Sequence, residues 1–144
     1  FLPDHSARQE LIRAVQRGVE VQIIVPGHHS DIPLTRRSSR SLYGELLESG
    51  VRISEYQPAM IHAKILLVDG LWSVVGSTNF DNRSFGLNDE VNLTARDAGL
   101  TARLAEDFQR DLANSEVITY EGWRRRPLHE RVQEMFGSVL ARQQ

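Results

Sequence analysis

The spacing of apolar residues along the chain predicts an alternation of helices and strands. Apolar positions recur at helical intervals in four segments, marked by Leu11, Ala14 and Val15, by Leu42, Leu46 and Leu47, by Leu104, Phe108 and Leu112, and by Leu128, Val132, Phe136 and Val139. The capping residues Asp4 and Ser6 precede the first segment, and Gly18 and Gly50 follow the first two. The sequence therefore predicts four helices.

Five β-rich runs are interspersed with these segments, at residues 19–26, 51–56, 61–68, 71–77 and about 89–95. The third and fourth runs are separated only by Asp69 and Gly70, a residue pair that two-residue hairpin turns prefer. Because helices and strands interleave, the sequence predicts the α/β class, as a layered α-β-α domain. Its mixed sheet is expected to include one antiparallel hairpin.

Length and composition fit one domain spanning residues 1–144, with 40% hydrophobic residues, no cysteine and a net charge of −2. The lack of cysteine excludes disulfides and thiolate-bound metals, and the charge gives no general attraction to nucleic acid. No apolar run approaches the roughly 20 residues of a membrane-spanning helix. Because the chain opens on Phe1 without an initiator methionine, we expect it to be part of a longer protein.

Side-chain alternation along the third and fourth strands predicts a polar face. His62 and Lys64, the only lysine beside sixteen arginines, share that face. A two-residue turn at 69–70 would place Ser77 opposite His62, with their Cβ atoms about 5 Å apart, and Asn79 on the same side. The other face is expected to join the core, with Ile61, Ala63, Ile65, Leu67, Trp72, Val74 and Gly76.

The side chains on this polar face have complementary chemical capacities. A neutral imidazole such as that of His62 can attack phosphorus, while the donors of Lys64, Ser77 and Asn79 can hold the non-bridging oxygens as charge develops. A carboxylate at Glu90 would accept the Nδ1 proton of His62 and fix its tautomer. The pattern predicts a phosphoryl-transfer site without a metal.

These residues resemble the HxKxxxxD, GSxN and E signature of the phospholipase D superfamily, as His62-Ala-Lys64 with Asp69, then Gly76 to Asn79, then Glu90. The stretches GSTNFDNRSFGLNDEVNL at 76–93 and WRRRPLHE at 123–130 resemble more narrowly the C-terminal half of bacterial cardiolipin synthases. The resemblance implies phosphatidyl transfer through a phosphohistidine, a reaction that needs no cofactor. It implies a catalytic set of His62, Lys64, Asp69 and Glu90, with Lys64, Ser77 and Asn79 binding the phosphate.

The same resemblance implies that a second HxK motif must meet this one. His5, His28, His29 and His129 are not followed two residues later by lysine, so the second half is expected elsewhere in a longer chain or in a second copy. The implied substrate is a phospholipid similar to phosphatidylglycerol. The protein is expected to reach it by peripheral contact with the cytoplasmic face of a bacterial inner membrane. The alternatives are a single-motif homodimeric nuclease, which the near-neutral charge disfavours, and a non-catalytic scaffold domain.

Several residues of the motif region have simpler explanations. The hairpin turn accounts for Asp69 without chemistry, and Arg83 could pair with a neighbouring aspartate as well as with a phosphate. Adjacent His28 and His29 fit a solvated loop better than a metal site. Trp123, followed by three arginines, fits a membrane anchor, but the stronger expectation is a C-terminal helix packed on its own domain.

Overall fold

The computed structural model describes residues 1–29, 33–81, 84, 86 and 88–127. The described helices are α1 (His5–Gln16), α2 (Pro33–Ser41), α3 (Tyr43–Glu48), α4 (Ala98–Ala113) and α5 (Tyr120–Arg124). The described strands are β1 (Gln22–Pro26), β2 (Arg52–Tyr56), β3 (Lys64–Val68), β4 (Trp72–Gly76), β5 (Asn92–Arg96) and β6 (Ser115–Ile118). The predicted α/β class is confirmed, and the predicted helix of Leu128 to Val139 lies outside the described residues.

The described strands form two three-stranded sheets. In the first sheet β2 lies between β1, which is parallel to it, and β6, which is antiparallel. In the second sheet β3, β4 and β5 follow one another as an antiparallel meander. The predicted hairpin therefore lies in the antiparallel sheet, beside the mixed one. Helix α4 contacts β2 and β6 of the first sheet and β3 and β4 of the second.

The hairpin between β3 and β4 forms at the predicted turn, but its register differs from the prediction by one residue. Asp69 and Gly70 both have positive φ angles, 51° and 65°, as a type I′ turn requires, and the Leu71 amide donates to the Val68 carbonyl at 3.1 Å. The ladder, however, pairs Val68 with Trp72. Leu71 is thus an extra residue between the turn and the ladder.

This register moves side chains between the two faces of the sheet. Lys64 pairs with Gly76, and Leu66 pairs with Val74; since cross-strand partners share a face, the predicted placement of Trp72, Val74 and Gly76 on the core face was wrong. They share the face of Lys64. The opposite face carries Ser73, which is buried, with Leu67 and Ala95, which are partly buried.

The main apolar core lies between the first sheet and the helices α1, α3 and α5. Its fully buried members are Val25, Tyr43, Leu46, Val51 and Ile53. Of the two predicted capping residues, Asp4 is confirmed, because its carboxylate accepts from the Ala7 amide at 2.7 Å. Ser6 is not a cap, because it lies inside the helix. Gly18 and Gly50 adopt positive φ angles of 89° and 99° where the predicted helices end.

A buried ion-pair cluster lies beside this core. Glu55 on β2 is 1% exposed and accepts from Arg36 of α2 at 2.6 Å and from Arg40 at 2.9 Å. Burial raises the pKa of the nearby Tyr43 hydroxyl, and the Glu55 carboxylate raises it further. The cluster fixes α2 against the carboxyl end of β2.

Trp123 on α5 packs on the domain. Its Nε1 donates to the Arg40 carbonyl at 2.8 Å, and the Arg126 guanidinium lies 3.7 Å from the ring centroid. A Cβ atom added to Gly44 would lie 2.7 Å from its Cζ3 atom, so this glycine leaves the space that the indole fills. These contacts account for Trp123 as a packing residue. The described residues contain no helix that is long and apolar enough to cross a membrane.

Candidate active site

His62 and Lys64 lie at the start of β3. Lys64 is the first residue of the strand, while His62 precedes it outside any helix or strand and is exposed. The Lys64 ammonium donates to the His62 carbonyl at 2.8 Å. This bond holds the only lysine of the chain next to the backbone of the motif histidine. The predicted pairing of His62 with Ser77 across the hairpin is not formed, because the register is shifted and β3 begins only at Lys64.

The loop after β4 is fastened to the segment that leads into β5. The Ser77 amide donates to the Val91 carbonyl at 3.0 Å, and the Val91 amide donates back to Ser77 Oγ at 3.0 Å. Asn92 Nδ2 donates to Thr78 Oγ1 at 2.6 Å. These hydrogen bonds hold residues 77–78 against 91–92, next to the position of Asn79.

Glu90 accepts a hydrogen bond from the Ser77 hydroxyl. This bond is the largest cause that lowers the pKa of Glu90; Ser84 and Asn88 lower it further, and the positive charge of Lys64 contributes. The Ser84 hydroxyl is near Glu90 but does not reach good hydrogen-bonding geometry. Glu90 is therefore an ionised carboxylate within electrostatic reach of Lys64. Because Ser77 has one hydroxyl proton, its donation to Glu90 competes with donation to a phosphate.

Asn79 is partly buried in the same loop, and its carbonyl accepts from the Asp81 amide at 2.9 Å. The Asp81 carboxylate in turn accepts from the Ser84 amide at 2.9 Å. Leu2 pairs with Asp81 in an isolated parallel bridge, which ties the loop to the first residues of the chain. The loop that carries Asn79 is thus held at both ends.

Asp69 does not lie with these residues. It occupies the turn at the opposite end of β3, five residues from Lys64, which is roughly 16 Å along an extended strand. Its positive φ angle and its place before Gly70 are what a hairpin turn requires. The structure brings together Lys64, Ser77 and Glu90, with His62 and Asn79 in adjoining segments, and leaves Asp69 apart.

Other predicted contacts are absent or not described. Among the described contacts, the Glu90 carboxylate accepts from Ser77 rather than from His62. His28 and His29 are exposed, and the described residues contain no group of three potential metal ligands from His, Asp or Glu. Arg83 and His129 lie outside the described residues.

The sequence did not predict the roles of Gly76 and Asn92, since Gly76 was expected only in the GSxN signature and on the core face. Gly76 lies between Lys64 and Asn92 in a row across the three strands. A Cβ atom at Gly76 would lie only 2.8 Å from the Asn92 Cα, and it would overlap the Asn92 side chain and the Val91 carbonyl. The glycine in the GSTN segment was the available signal, since a strand glycine often marks a close approach of neighbouring atoms.

Comparisons with known proteins identify relatives of this chain. Residues 1–112 match a family described as "Cardiolipin synthase, PLD-like domain". The chain is 36% identical over 141 residues to minor cardiolipin synthase ClsB of Bacillus subtilis, a match that covers 98% of this chain and 35% of that protein. It is 40% identical over 134 residues to cardiolipin synthase A of Yersinia pestis, covering 93% and 27%.

The chain thus spans about a third of the length of these relatives. Its fold is similar to the crystal structure of Nuc, a phospholipase D family member from Salmonella typhimurium, with a TM-score of 0.71 and 19% sequence identity over 82% of this chain and 76% of that one. This likeness concerns the fold alone. The match over residues 1–112 shows that the chain belongs to the family of cardiolipin synthase, phospholipase D-like domains.

Proposed function

We propose that this chain forms one half of a phosphatidyltransferase of the cardiolipin synthase type. The observation that carries the proposal is the grouping of Lys64, Ser77 and Glu90 beside His62 in a chain of this family. His62 supplies an imidazole, Lys64 an ammonium and Glu90 an ionised carboxylate. These groups suit nucleophilic attack on a phosphodiester and stabilisation of the charge that develops on its oxygens.

The proposed reaction has two displacements at phosphorus. In the first, an imidazole nitrogen of one motif histidine forms a bond to phosphorus as the bond to the leaving alcohol oxygen breaks, and the other motif histidine donates a proton to that oxygen. In the second, the acceptor alcohol gives its proton to that other histidine and bonds to phosphorus as the phosphorus–nitrogen bond breaks. Lys64 and Asn79 would hold the non-bridging oxygens throughout.

Glu90 and Ser77 serve the site indirectly in this proposal. Glu90 keeps a negative charge beside the positive charge of Lys64, and it would stabilise the imidazolium that forms during proton transfer. Ser77 holds Glu90 in place through the hydrogen bond between their side chains. Asp69 shapes the hairpin turn in this proposal and takes no part in the chemistry.

An exposed apolar surface supports a partner that brings the second histidine. Leu66, Val68 and Trp72 are 49%, 36% and 39% exposed and lie on the same face of the sheet as Lys64. An apolar patch of this kind beside a polar site is typical of a surface covered by another protein surface. We propose that a second HxK half, in the same longer protein or in a second copy, covers this face.

The proposed substrate is an anionic phospholipid similar to phosphatidylglycerol, and the acceptor is the alcohol of another lipid. Such a substrate requires contact with a membrane, which we place at the cytoplasmic face of a bacterial inner membrane. Nucleic acid is disfavoured as a substrate, because the chain carries a net charge of −2 and phosphate-backbone binding depends on positive charge.

The test is replacement of His62 in the complete two-half enzyme. His62→Ala should lower cardiolipin formation from phosphatidylglycerol vesicles by about 10²- to 10⁴-fold, whereas His29→Ala, an exposed histidine outside the motif, should leave it unchanged. A phosphorus label should appear on a motif histidine after brief exposure to labelled lipid and denaturation. Transfer that survives His62→Ala would contradict the proposal, as would activity lost on chelation and restored only by a metal ion.

The same preparation separates the two rival functions. A stable homodimer of this chain that cleaves DNA would favour a nuclease, and a protein that takes no label and turns over neither lipid nor DNA would favour a scaffold. A lipid transferase that requires the second half, with no cleavage of DNA, is the outcome we expect.

A further inference from the structure

We propose that Asn92 is a positioning residue for the phosphate-binding loop and acts on Asn79 through Thr78. This inference rests on the proposed function and extends it to a residue outside the HxK, GSxN and E motifs. It comes from the row of three residues that the sheet register places side by side. Lys64 pairs with Gly76, and Gly76 pairs with Asn92.

The row sets the distance that a positioning side chain must span. Neighbouring strands lie about 4.8 Å apart, so the Cα atoms of Lys64 and Asn92 are about 10 Å apart with Gly76 between them. Because cross-strand partners share a face, Lys64 and Asn92 project on the same side of the sheet. Gly76 has no side chain, and the space above it is taken by the Asn92 side chain and the Val91 carbonyl.

The side chain of Asn92 leans over Gly76. A Cβ atom at Gly76 would overlap the Asn92 Oδ1 atom, so the amide lies above the glycine and towards Lys64. From this position Asn92 Nδ2 donates to Thr78 Oγ1 at 2.6 Å. The residue after Thr78 is Asn79, the proposed phosphate ligand.

This hydrogen bond extends the contacts between the loop and the segment that leads into β5 from Ser77 to Thr78. Ser77 is bonded to Val91 through both its amide and its hydroxyl, which fixes the first residue of the loop. Thr78 is the last residue before Asn79 and is held by the Asn92 amide. Without this bond, Thr78 would lose its side-chain contact with Asn92. We then expect the Asn79 carboxamide to move relative to Lys64, even though the Asn79 carbonyl still accepts from the Asp81 amide and the Phe80 carbonyl from the Leu2 amide.

The kinetic test uses variants that remove either partner of the bond. In the complete enzyme acting on phosphatidylglycerol vesicles, Asn92→Ala and Thr78→Val should each lower kcat by about 10- to 100-fold, the order expected for a displacement near 1 Å at a catalytic group. Thr78→Ser keeps the acceptor oxygen and should retain activity. Thr94→Val is the matched control, because Thr94 is exposed on the same face of β5, two residues further along the strand.

A cycle with Asn79 separates positioning from a general structural role. If Asn92 acts through Asn79, Asn92→Ala should have little further effect on kcat in an Asn79→Ala background. An equal loss in both backgrounds would overturn the proposal, as would an Asn92→Ala enzyme with wild-type kcat.

A measurement that needs no activity keeps the inference independent of the proposed function. The side-chain amide signals of Asn79 in ¹⁵N-resolved NMR spectra should shift in Asn92→Ala and Thr78→Val and stay in place in Thr94→Val. Unshifted signals would refute the positioning role even if the enzyme proved to have another substrate. Shifted signals in an enzyme that forms no cardiolipin would retain the positioning role and reject only the proposed reaction.

Discussion

Replacing Glu55 tests whether the buried ion-pair cluster stabilises the packing of α2 on the first sheet. Glu55→Gln keeps the shape of the side chain but removes the charge that balances Arg36 and Arg40, whose side chains are only 20% and 16% exposed. Removing one partner from a buried pair typically destabilises a protein by about 3–5 kcal/mol. For a domain of this size, that corresponds to a fall in Tm on the order of 10–15 °C.

The assay is equilibrium unfolding in urea, followed by fluorescence of Trp123, which packs against the same helices. Glu116→Gln is the matched control, since Glu116 lies directly opposite Glu55 on β6 but is exposed. It should change the free energy of unfolding by less than about 0.5 kcal/mol. A Glu55→Gln protein within about 1 kcal/mol of wild type would refute the reasoning, since a buried charge left unpaired should cost more.

Two further predictions concern the hairpin and its site. Ser77→Ala should raise the pKa of Glu90 towards its ordinary value, since the hydrogen bond from the Ser77 hydroxyl is the largest cause that lowers this pKa. Because the pKa is depressed in the folded protein, Glu90 loses its charge only as the pH falls through that depressed value. The acidic limb of the kcat–pH profile should therefore move to higher pH in the variant. An unmoved limb would show that ionisation of Glu90 does not limit the reaction. Asp69→Asn should keep near-wild-type transfer, because asparagine tolerates the positive φ angle of the turn, whereas a fall of about tenfold or more, larger than an intact turn explains, would assign Asp69 a chemical role.

The sequence was sufficient for most of the elements and for the neighbourhood of the site. Helix caps at Asp4 and glycines at 18 and 50 were readable because each serves a local hydrogen bond or a local φ angle. The turn at Asp69 and Gly70 was readable for the same reason. Local signals of this kind do not depend on the rest of the fold.

The register of the hairpin was not readable in the same way. Asp69 and Gly70 specify the turn, but whether Leu71 pairs with Val68 or is left out of the ladder depends on packing of the whole sheet. One residue of difference moved Trp72 to the other face and separated Ser77 from His62. The Ser77 hydroxyl instead donates to Glu90, which is thirteen residues further along the chain.

Contacts between distant segments were missed for a related reason. Strand β6 is four residues long, with Val117 exposed, and carries little apolar pattern of its own. Glu55 reads from sequence as a solvated residue in a strand, and only its two arginine partners on α2 explain its burial. Asn92 likewise gains its meaning from Gly76 and Thr78, which are near it only in the folded chain.

Helix α4 gives these observations a consequence for protein engineering. It contributes no residue to the proposed site, yet it touches the sheet that carries Lys64 as well as the sheet that carries Glu55. Thr101, near its beginning, is completely buried. A graft of the β3–β5 meander into another scaffold would therefore have to include α4. The sequence of α4 would also have to pack against both sheets at once.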